Sequence, residues 1–162
     1  MNSEQIKLLK KLNSVLLFKV GSIFKLPLAF LTGLKILNFD SKESRVQVNY
    51  SYLNKNPFNS TYFAVLSMAA ELSTGLYALL HTTGLKPSCA FIITGMKANF
   101  FKKGSGITVF NCNDGKKIKT AINKCIKENI PIEVTVKSRG SNERGELIAE
   151  FEFIWSFKQR SI

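Results

Sequence analysis

One long apolar stretch constrains the fold of this chain more than any other feature. From position 56 to position 82 the sequence reads NPFNSTYFAVLSMAAELSTGLYALLHT, and Glu71 is its only formal charge. Asn59 and Ser60 are residue types that cap helices, and the sequence after them is predominantly apolar. A helix that is apolar nearly all round is buried on most sides. We therefore expect a central helix that begins near Asn59 and Ser60.

Glu71 is the first candidate functional residue, because a carboxylate inside a buried helix is unfavourable unless it is paired, protonated or used. Its helical neighbours at spacings of three, four and seven are mostly small. They are Ala64, Ser67, Met68, Thr74, Gly75 and Ala78. Small neighbours leave room for a ligand or for a second helix. In the alternative interpretation Glu71 is structural and accepts hydrogen bonds from Ser67, Thr74 or the backbone.

The composition predicts one globular domain and an anionic partner. The 162 residues are 45% hydrophobic, and 23 basic against 11 acidic residues give a net charge of +12. We expect a single domain over residues 1–162, with residues 1–26 as an N-terminal helical extension. Such a positive charge attracts nucleic acid, a membrane surface, a nucleotide-bearing substrate or an acidic carrier protein, and it does not choose among them.

The cysteines and the single histidine argue against a metal site. Cys89, Cys112 and Cys125 are odd in number and lie within apolar patterns, as reduced core cysteines of a cytoplasmic protein do. His81 is the only histidine, so no metal is expected. No signal peptide is apparent, and the apolar run 63–80 carries Glu71 and several hydroxyl residues, which favours a soluble, buried helix over a membrane span.

The remaining sequence predicts three strand pairs and two further helices. Residues 3–20 form an amphipathic helix that either packs on the domain or docks on a membrane surface through its lysines. Strands are predicted at 34–39, 45–53, 90–101, 106–112, 132–137 and 146–157, with Gly104 in the turn of the second pair, and a short helix starts at Asp114. The economical packing is α+β: an antiparallel sheet of about six strands wrapped around one long central helix.

This order of elements, with a glutamate in the buried helix, resembles the hotdog fold of acyl-CoA thioesterases over about residues 27–157. The resemblance is strongest over NPFNSTYFAVLSMAAELSTG. In thioesterases of the phenylacetyl-CoA-pathway type, this stretch carries an asparagine, a short loop, His-Gly-Gly and then an acid. Aligned on Glu71, Asn56 takes the asparagine position, and Tyr62, Phe63 and Ala64 take the His-Gly-Gly positions. The sequence looks still closer to an uncharacterised, thioesterase-like branch of the superfamily.

The resemblance implies a thioester hydrolase with no cofactor other than the coenzyme A carried by the substrate. Glu71 would act as base or nucleophile, the amides of Phe63 and Ala64 would hold the oxyanion, and Asn56 would orient water or the thioester. Ala64 and Glu71 are seven helical residues apart, roughly 10 Å, so one carbonyl cannot reach both. The site must therefore combine two subunits, in a homodimer or a dimer of dimers.

Several residues have a functional and a structural interpretation. Tyr62 either gates an acyl pocket or packs, Thr74 either hydrogen-bonds near Glu71 or packs, and Asn56 is otherwise a turn residue. Met68, Phe91 and Met96 are expected in the core rather than around an acyl chain. The candidates for binding coenzyme A phosphates or an acyl carrier protein are four basic residues predicted in hairpin loops, otherwise simply solvated: Lys102, Lys103, Arg139 and Arg144.

Three functions follow in order of preference. The first is hydrolysis of an acyl-CoA or acyl-carrier-protein thioester. The second is a non-catalytic acyl-CoA- or lipid-binding hotdog protein, favoured by the missing glycines. The third, nucleic-acid binding, depends on charge alone and lacks basic residues interleaved with aromatic ones on a strand face. We therefore expect no nucleic-acid partner, and peripheral membrane contact only through the N-terminal helix.

Overall fold

The computed structural model describes residues 1–160, which form five helices and six strands. In chain order these are α1 (Ser3–Asn13), α2 (Val15–Lys25), α3 (Pro27–Leu31), β1 (Lys35–Phe39), β2 (Ser44–Asn49), α4 (Phe63–Thr82), β3 (Cys89–Phe100), β4 (Ile107–Cys112), α5 (Gly115–Glu128), β5 (Ile132–Asn142) and β6 (Leu147–Gln159). A single 3₁₀ turn, Tyr52–Asn54, follows β2. The strands form one antiparallel sheet in the order β1-β2-β4-β5-β6-β3.

The central helix α4 packs into this sheet as predicted. Tyr77 is fully buried, and its ring packs edge-on against Phe39 of β1 at a centroid distance of 5.2 Å. On β6, Phe151, Phe153 and Trp155 point inward toward the helix. α4 is long and apolar enough to cross a membrane, but more than half of that stretch is buried within the protein. It is a core helix, and this arrangement is consistent with a soluble protein.

The central helix begins later than predicted. α4 starts at Phe63, with Tyr62 as its N-cap residue. Asn59 has a φ of +56° and lies in the preceding loop, and the Ser60 hydroxyl contacts Asn56 instead of capping the helix. The sequence suggested Asn59 and Ser60 because capping residue types also favour turns, where they bond to their own local backbone.

The second strand ends earlier than predicted, and the N-terminal helix is two helices. β2 stops at Asn49, and Tyr52 lies in the 3₁₀ turn with 81% of its surface exposed.

The N-terminal helix is interrupted between α1 and α2 at Ser14, whose side chain accepts a hydrogen bond from the Leu17 amide and so caps α2. In both places the apolar periodicity of the sequence continues past the point where the helix or strand ends. Polar side chains that bond to the nearby backbone interrupt the element there.

The predicted hairpin between the third and fourth strands is wrong. β3 pairs with β6, whereas β4 lies between β2 and β5, so β3 is an edge strand. Gly104 does not have the positive φ that a tight turn would require. β3 and β6 are 12 and 13 residues long, whereas β4 has only six residues. Pairing with β6 therefore gives β3 more backbone hydrogen bonds than pairing with β4 could. The hairpin of β5 and β6 and the helix after Asp114 are as predicted.

Candidate active site

Glu71 lines an apolar cavity on the open side of the sheet. The cavity has a volume of about 530 Å³ and lies between α4, the segment that joins α2 to α3, and β3. Its walls are formed by Lys25, Leu26, Pro27, Leu28, Ala29, Leu34, Met68, Glu71, Leu72, Gly75, Leu76, Leu79 and Phe91. A volume in this range suits a small organic ligand, and mostly apolar walls with one carboxylate and one lysine suit a ligand that is mostly hydrocarbon.

The Glu71 carboxylate has no partner within the described chain. Neither of its oxygens accepts a hydrogen bond from residues 1–160, and none of the ion pairs found there includes it. Burial raises the pKa of Glu71 above its usual value, and no neighbouring charge offsets that shift. Its Oε1 atom lies over Gly75, where a β-carbon would be only 2.9 Å away.

The two side chains that could have made Glu71 a structural carboxylate have other partners. The Ser67 hydroxyl lies 3.5 Å from the Met96 sulfur. The Thr74 hydroxyl donates to the backbone carbonyl of Glu71 at 2.9 Å and accepts from the indole Nε1 of Trp155 at 3.1 Å. Thr74 is fully buried and does not line the cavity, so it fastens α4 to the sheet and does not face a ligand.

The start of α4 presents free backbone donors. The amides of Phe63 and Ala64 donate to no acceptor in residues 1–160, and Tyr62 provides no side-chain cap. Unpaired amides in a first helical turn, together with the positive end of the helix dipole, favour an anionic oxygen. The Phe63 ring packs between Tyr62, at a centroid distance of 4.9 Å, and Phe100, at 6.4 Å. Tyr62 lies outside the Glu71 cavity.

Asn56 lies near the helix start but its amide is already used. Its Oδ1 accepts from the Phe58 amide at 3.0 Å and the Ser60 amide at 3.2 Å, and its Nδ2 lies 3.0 Å from the Ser60 hydroxyl. These bonds close the turn that precedes α4. The structure thus favours the turn interpretation of Asn56 over that of an orienting amide.

Three of the four predicted basic residues lie together near the start of α4. Lys102 and Lys103 line a cavity of about 330 Å³ together with Asn56 and Phe63. The same two lysines also line a second cavity, of about 370 Å³, together with Arg144. Lys102 forms an ion pair with Glu146, and the Lys103 ammonium lies 3.4 Å from the Phe58 carbonyl.

The fourth basic residue, Arg139, was wrongly predicted in a loop. It lies within β5, and its guanidinium pairs with Glu150 across the sheet at 2.5 Å. β5 extends past Gly140 to Asn142, whereas the sequence predicted that this strand ends at residue 137, so the loop is shorter than predicted.

The helix start and Glu71 line separate cavities of the same chain. No residue lines both the 530 Å³ cavity of Glu71 and the 330 Å³ cavity of Phe63. Seven helical residues separate Ala64 from Glu71, roughly 10 Å along the axis. One chain therefore holds an acid and a set of oxyanion donors that cannot act on one carbonyl together.

Sequence reasoning missed much of the cavity wall. The segment from Leu26 to Ala29, together with Leu34 and Leu79, forms one side of it. Met68 and Phe91, expected in the core, also line the cavity, whereas Met96 is 54% exposed on the edge strand. The apolarity of residues 20–37 was the only sequence signal, and apolarity alone does not separate a cavity wall from a packed core.

Other ionisable groups do not form a second reactive centre. All three cysteines are free and buried, and burial raises the pKa of Cys112 to about 12 and that of Cys89 to about 11. Burial lowers the pKa of His81 to about 4, so it is neutral at pH 7. No group of three metal-ligating side chains occurs within residues 1–160.

Comparison with known proteins identifies the fold. No family model and no curated protein matches the sequence. Among solved structures, the chain is similar to PA5026 of Pseudomonas aeruginosa, described as a protein of unknown function and probable thioesterase, with a TM-score of 0.76 and 19% identity over 91% of this chain and 97% of that one.

Two further solved structures are similar to this chain over nearly its whole length. The protein OLEI01261 of Chlorobaculum tepidum, of unknown function, gives a TM-score of 0.78 at 15% identity over 98% of this chain and 100% of that one. Thioesterase HI1161 of Haemophilus influenzae gives 0.63 at 10% identity over 90% and 91%. At these identities the likeness establishes the fold. The chain has the hotdog fold, as the sequence resemblance predicted.

Proposed function

We propose that this protein is a thioesterase that hydrolyses an acyl-CoA or an acyl-carrier-protein thioester. The observation that carries the proposal is the Glu71 carboxylate, which faces an apolar cavity of about 530 Å³ and has no partner among residues 1–160. A half-buried, unpaired acid is unfavourable for folding, so its presence fits a chemical role better than a structural one. The thioesterases among the structural neighbours support the same activity.

The proposed reaction places the acyl chain against the apolar walls and the thioester carbonyl next to Glu71. As a general base, Glu71 takes a proton from water, and the hydroxide adds to the carbonyl carbon. The C–S bond of the tetrahedral intermediate then breaks, and the thiolate leaves with the proton from Glu71. As a nucleophile, Glu71 would instead attack the carbonyl carbon and displace the thiolate, and water would then hydrolyse the resulting anhydride to the free acid and the Glu71 carboxylate.

The oxyanion donors would come from the partner subunit in this scheme. The free amides of Phe63 and Ala64 are suited to hold the developing oxyanion, but those of the same chain are too far from Glu71. A second subunit placed with its helix start at the Glu71 cavity completes the site. We therefore propose a dimer, or a dimer of dimers, with each active site at a subunit interface.

The edge strand β3 is the natural surface for that dimer. It is 12 residues long and carries one charge, Lys97, and it exposes Ile92 (66%) on the face away from α4 and Met96 (54%) on the face toward α4. A long apolar edge with unpaired backbone groups readily pairs with another strand. β3 also contributes Phe91 to the Glu71 cavity, so a subunit paired along β3 would lie beside the catalytic acid.

The basic cavities near the helix start suit the anionic end of the substrate. Lys103 and Arg144 form no ion pair within residues 1–160, and they line the cavities at the end of α4 that carries the oxyanion donors. Phosphates of coenzyme A, or acidic residues of a carrier protein, would neutralise them.

A panel of acyl-CoA substrates with detection of the released thiol tests the proposal. We expect turnover of at least one aliphatic or aromatic acyl-CoA, and loss of that turnover in Glu71→Gln. Glu133→Gln, which changes an exposed carboxylate on β5, serves as the control and should keep full activity. Turnover that survives Glu71→Gln would refute the assigned mechanism.

The second candidate is an acyl-CoA-binding protein without activity. The Phe63 ring favours it, because it is 53% exposed and stacks where the resemblance places a glycine, next to the donors themselves. Saturable binding of acyl-CoA without thiol release by the wild-type protein would support this second function over the first.

A further inference from the structure

The segment from Val15 to Leu31, which comprises α2, α3 and their junction, exposes an unusually large number of apolar side chains. Nine of its large apolar side chains are exposed: Val15, Leu16, Leu17, Val20, Ile23, Phe24, Leu26, Leu28 and Leu31. Phe24 is 82% exposed and Leu16 is 69% exposed. Exposed apolar residues scattered singly are ordinary, but a run of this size marks an interaction surface.

Four of these side chains form an apolar stripe along one side of α2. Leu16, Val20, Ile23 and Phe24 follow the i, i+4, i+7, i+8 spacing of one helical face. The opposite side of α2 packs inward through the buried Ser22 and the half-buried Phe18. The helix is therefore already anchored to the protein on one face, and its apolar stripe is not required for that packing.

The charge around this face has one sign only. From residue 5 to residue 39 the sequence contains no acidic residue and six lysines, which are Lys7, Lys10, Lys11, Lys19, Lys25 and Lys35. All six are exposed, and none forms an ion pair with another described residue. Lysines near an anionic membrane surface are attracted to it, and the attraction grows with their number.

We propose that the face formed by α2 and α3 binds the surface of an anionic lipid bilayer. A helix with an apolar stripe and flanking lysines lies in the plane of the interface, its apolar side chains among the acyl chains and its ammonium groups at the headgroup phosphates. The uncompensated positive charge favours this partner, because a bilayer of anionic lipids supplies negative charge over the whole area of the face. The inference does not depend on the proposed hydrolase activity.

Docking in this way would also orient the Glu71 cavity. Lys25, Leu26 and Leu28 belong both to this face and to the wall of that cavity. A bilayer bound there lies beside the cavity, so an acyl chain held at the membrane surface would have a short path to Glu71.

Vesicle sedimentation with the full chain tests the inference. We expect binding to vesicles of phosphatidylglycerol and phosphatidylcholine, and none to phosphatidylcholine alone. Binding should weaken strongly in about 1 M salt, where the screening length falls to about 3 Å. Leu16→Gln combined with Phe24→Gln should weaken binding at least about tenfold, since two exposed apolar anchors are lost. Ile130→Gln, at an exposed apolar residue after α5, should leave binding unchanged.

A charge-reversal pair separates this face from the general positive charge. Lys19→Glu combined with Lys25→Glu should abolish vesicle binding. Lys116→Glu combined with Lys127→Glu changes the net charge by the same amount at exposed lysines of α5, and this variant should retain most of the binding. Thermal melting checks that each variant is folded. Equal loss in both pairs, or no binding by the wild-type protein, would overturn the inference. So would conversion of a dimer to monomers by the Leu16 and Phe24 changes, which would show that a second copy covers this face.

Discussion

The Glu71 carboxylate lies directly over Gly75, one helical turn further along α4. A β-carbon at Gly75 would stand 2.9 Å from Glu71 Oε1 and 3.5 Å from the Trp155 ring. The Trp155 contact is an ordinary one, so only the carboxylate would have to move. The absence of a side chain at Gly75 therefore leaves room for the acid in this position.

Gly75→Ala should separate activity from stability. Alanine favours a helix over glycine by about 1 kcal/mol, so the melting temperature should stay level or rise. The displaced carboxylate should lower kcat at least about tenfold, because small misplacements of catalytic groups are costly. Gly21→Ala, in α2 with no atom within 4 Å of its added carbon, is the control and should keep full activity. Full activity in Gly75→Ala would show that the carboxylate position is not critical.

The pKa of Glu71 gives a pH dependence with a defined sign. Burial raises this pKa, so the folded chain holds the proton more tightly than the unfolded chain does. Ionisation of Glu71 therefore destabilises the fold, fully above the raised pKa and not at all below the ordinary value of about 4.3. Glu71→Gln should melt at a higher temperature than wild type at pH 7, and the difference should vanish on acidification.

The same shift sets the pH profile of the reaction. The proposed mechanism needs the ionised carboxylate, so kcat should fall as the pH drops through the raised pKa, at a higher pH than an ordinary glutamate would give. A melting temperature of Glu71→Gln below that of wild type at pH 7 would mean that the carboxylate has a stabilising partner.

The backbone donors at the helix start can be tested at Phe63. Proline is tolerated at the first position of a helix but has no N–H. Phe63→Pro should therefore keep the fold and lower kcat about 10²-fold, the usual effect of losing one oxyanion donor. Phe63→Ala also removes the ring but keeps the amide, so it should retain activity. Equal losses in the two variants would assign the effect to the ring.

The edge strand β3 should carry the dimer. Ile92→Lys combined with Met96→Lys places one charge on each face of this edge strand and should halve the mass measured by light scattering. Because each proposed site combines two subunits, hydrolysis should be lost together with the dimer. Ile130→Lys is the matched control at an exposed apolar residue elsewhere. A fully active monomer would refute the shared site.

The sequence predicted the elements of the fold better than it predicted their pairing. The alternation of inward residues such as Phe151 and Phe153 in β6, and the apolar run of α4, are local patterns that survive in the structure. The partner of β3 is not encoded locally. A hairpin with β4 was plausible from the turn residues around Gly104, yet the long β6 pairs with β3 instead.

For the candidate site, the sequence identified the groups but not their surroundings. Glu71 stood out because a charge in an apolar helix is rare, and the first-turn amides follow from where a helix starts. The cavity wall of Leu26 to Ala29 could not be predicted, since it depends on how α2 and α3 fold back over α4. The hydrogen-bond partners of Asn56 and Thr74 favour their structural interpretations, and composition does not reveal those partners.

Mixed dimers test the shared site most directly. Subunits carrying Glu71→Gln and subunits carrying Phe63→Pro are co-expressed with different tags, and the dimer that contains one of each is purified. If each site combines Glu71 of one subunit with the helix start of the other, this dimer holds one intact site and should show about half the wild-type turnover. Both parent dimers should be inactive or nearly so. A mixed dimer no more active than its parents would show that the acid and its donors act within one subunit, and would contradict the account.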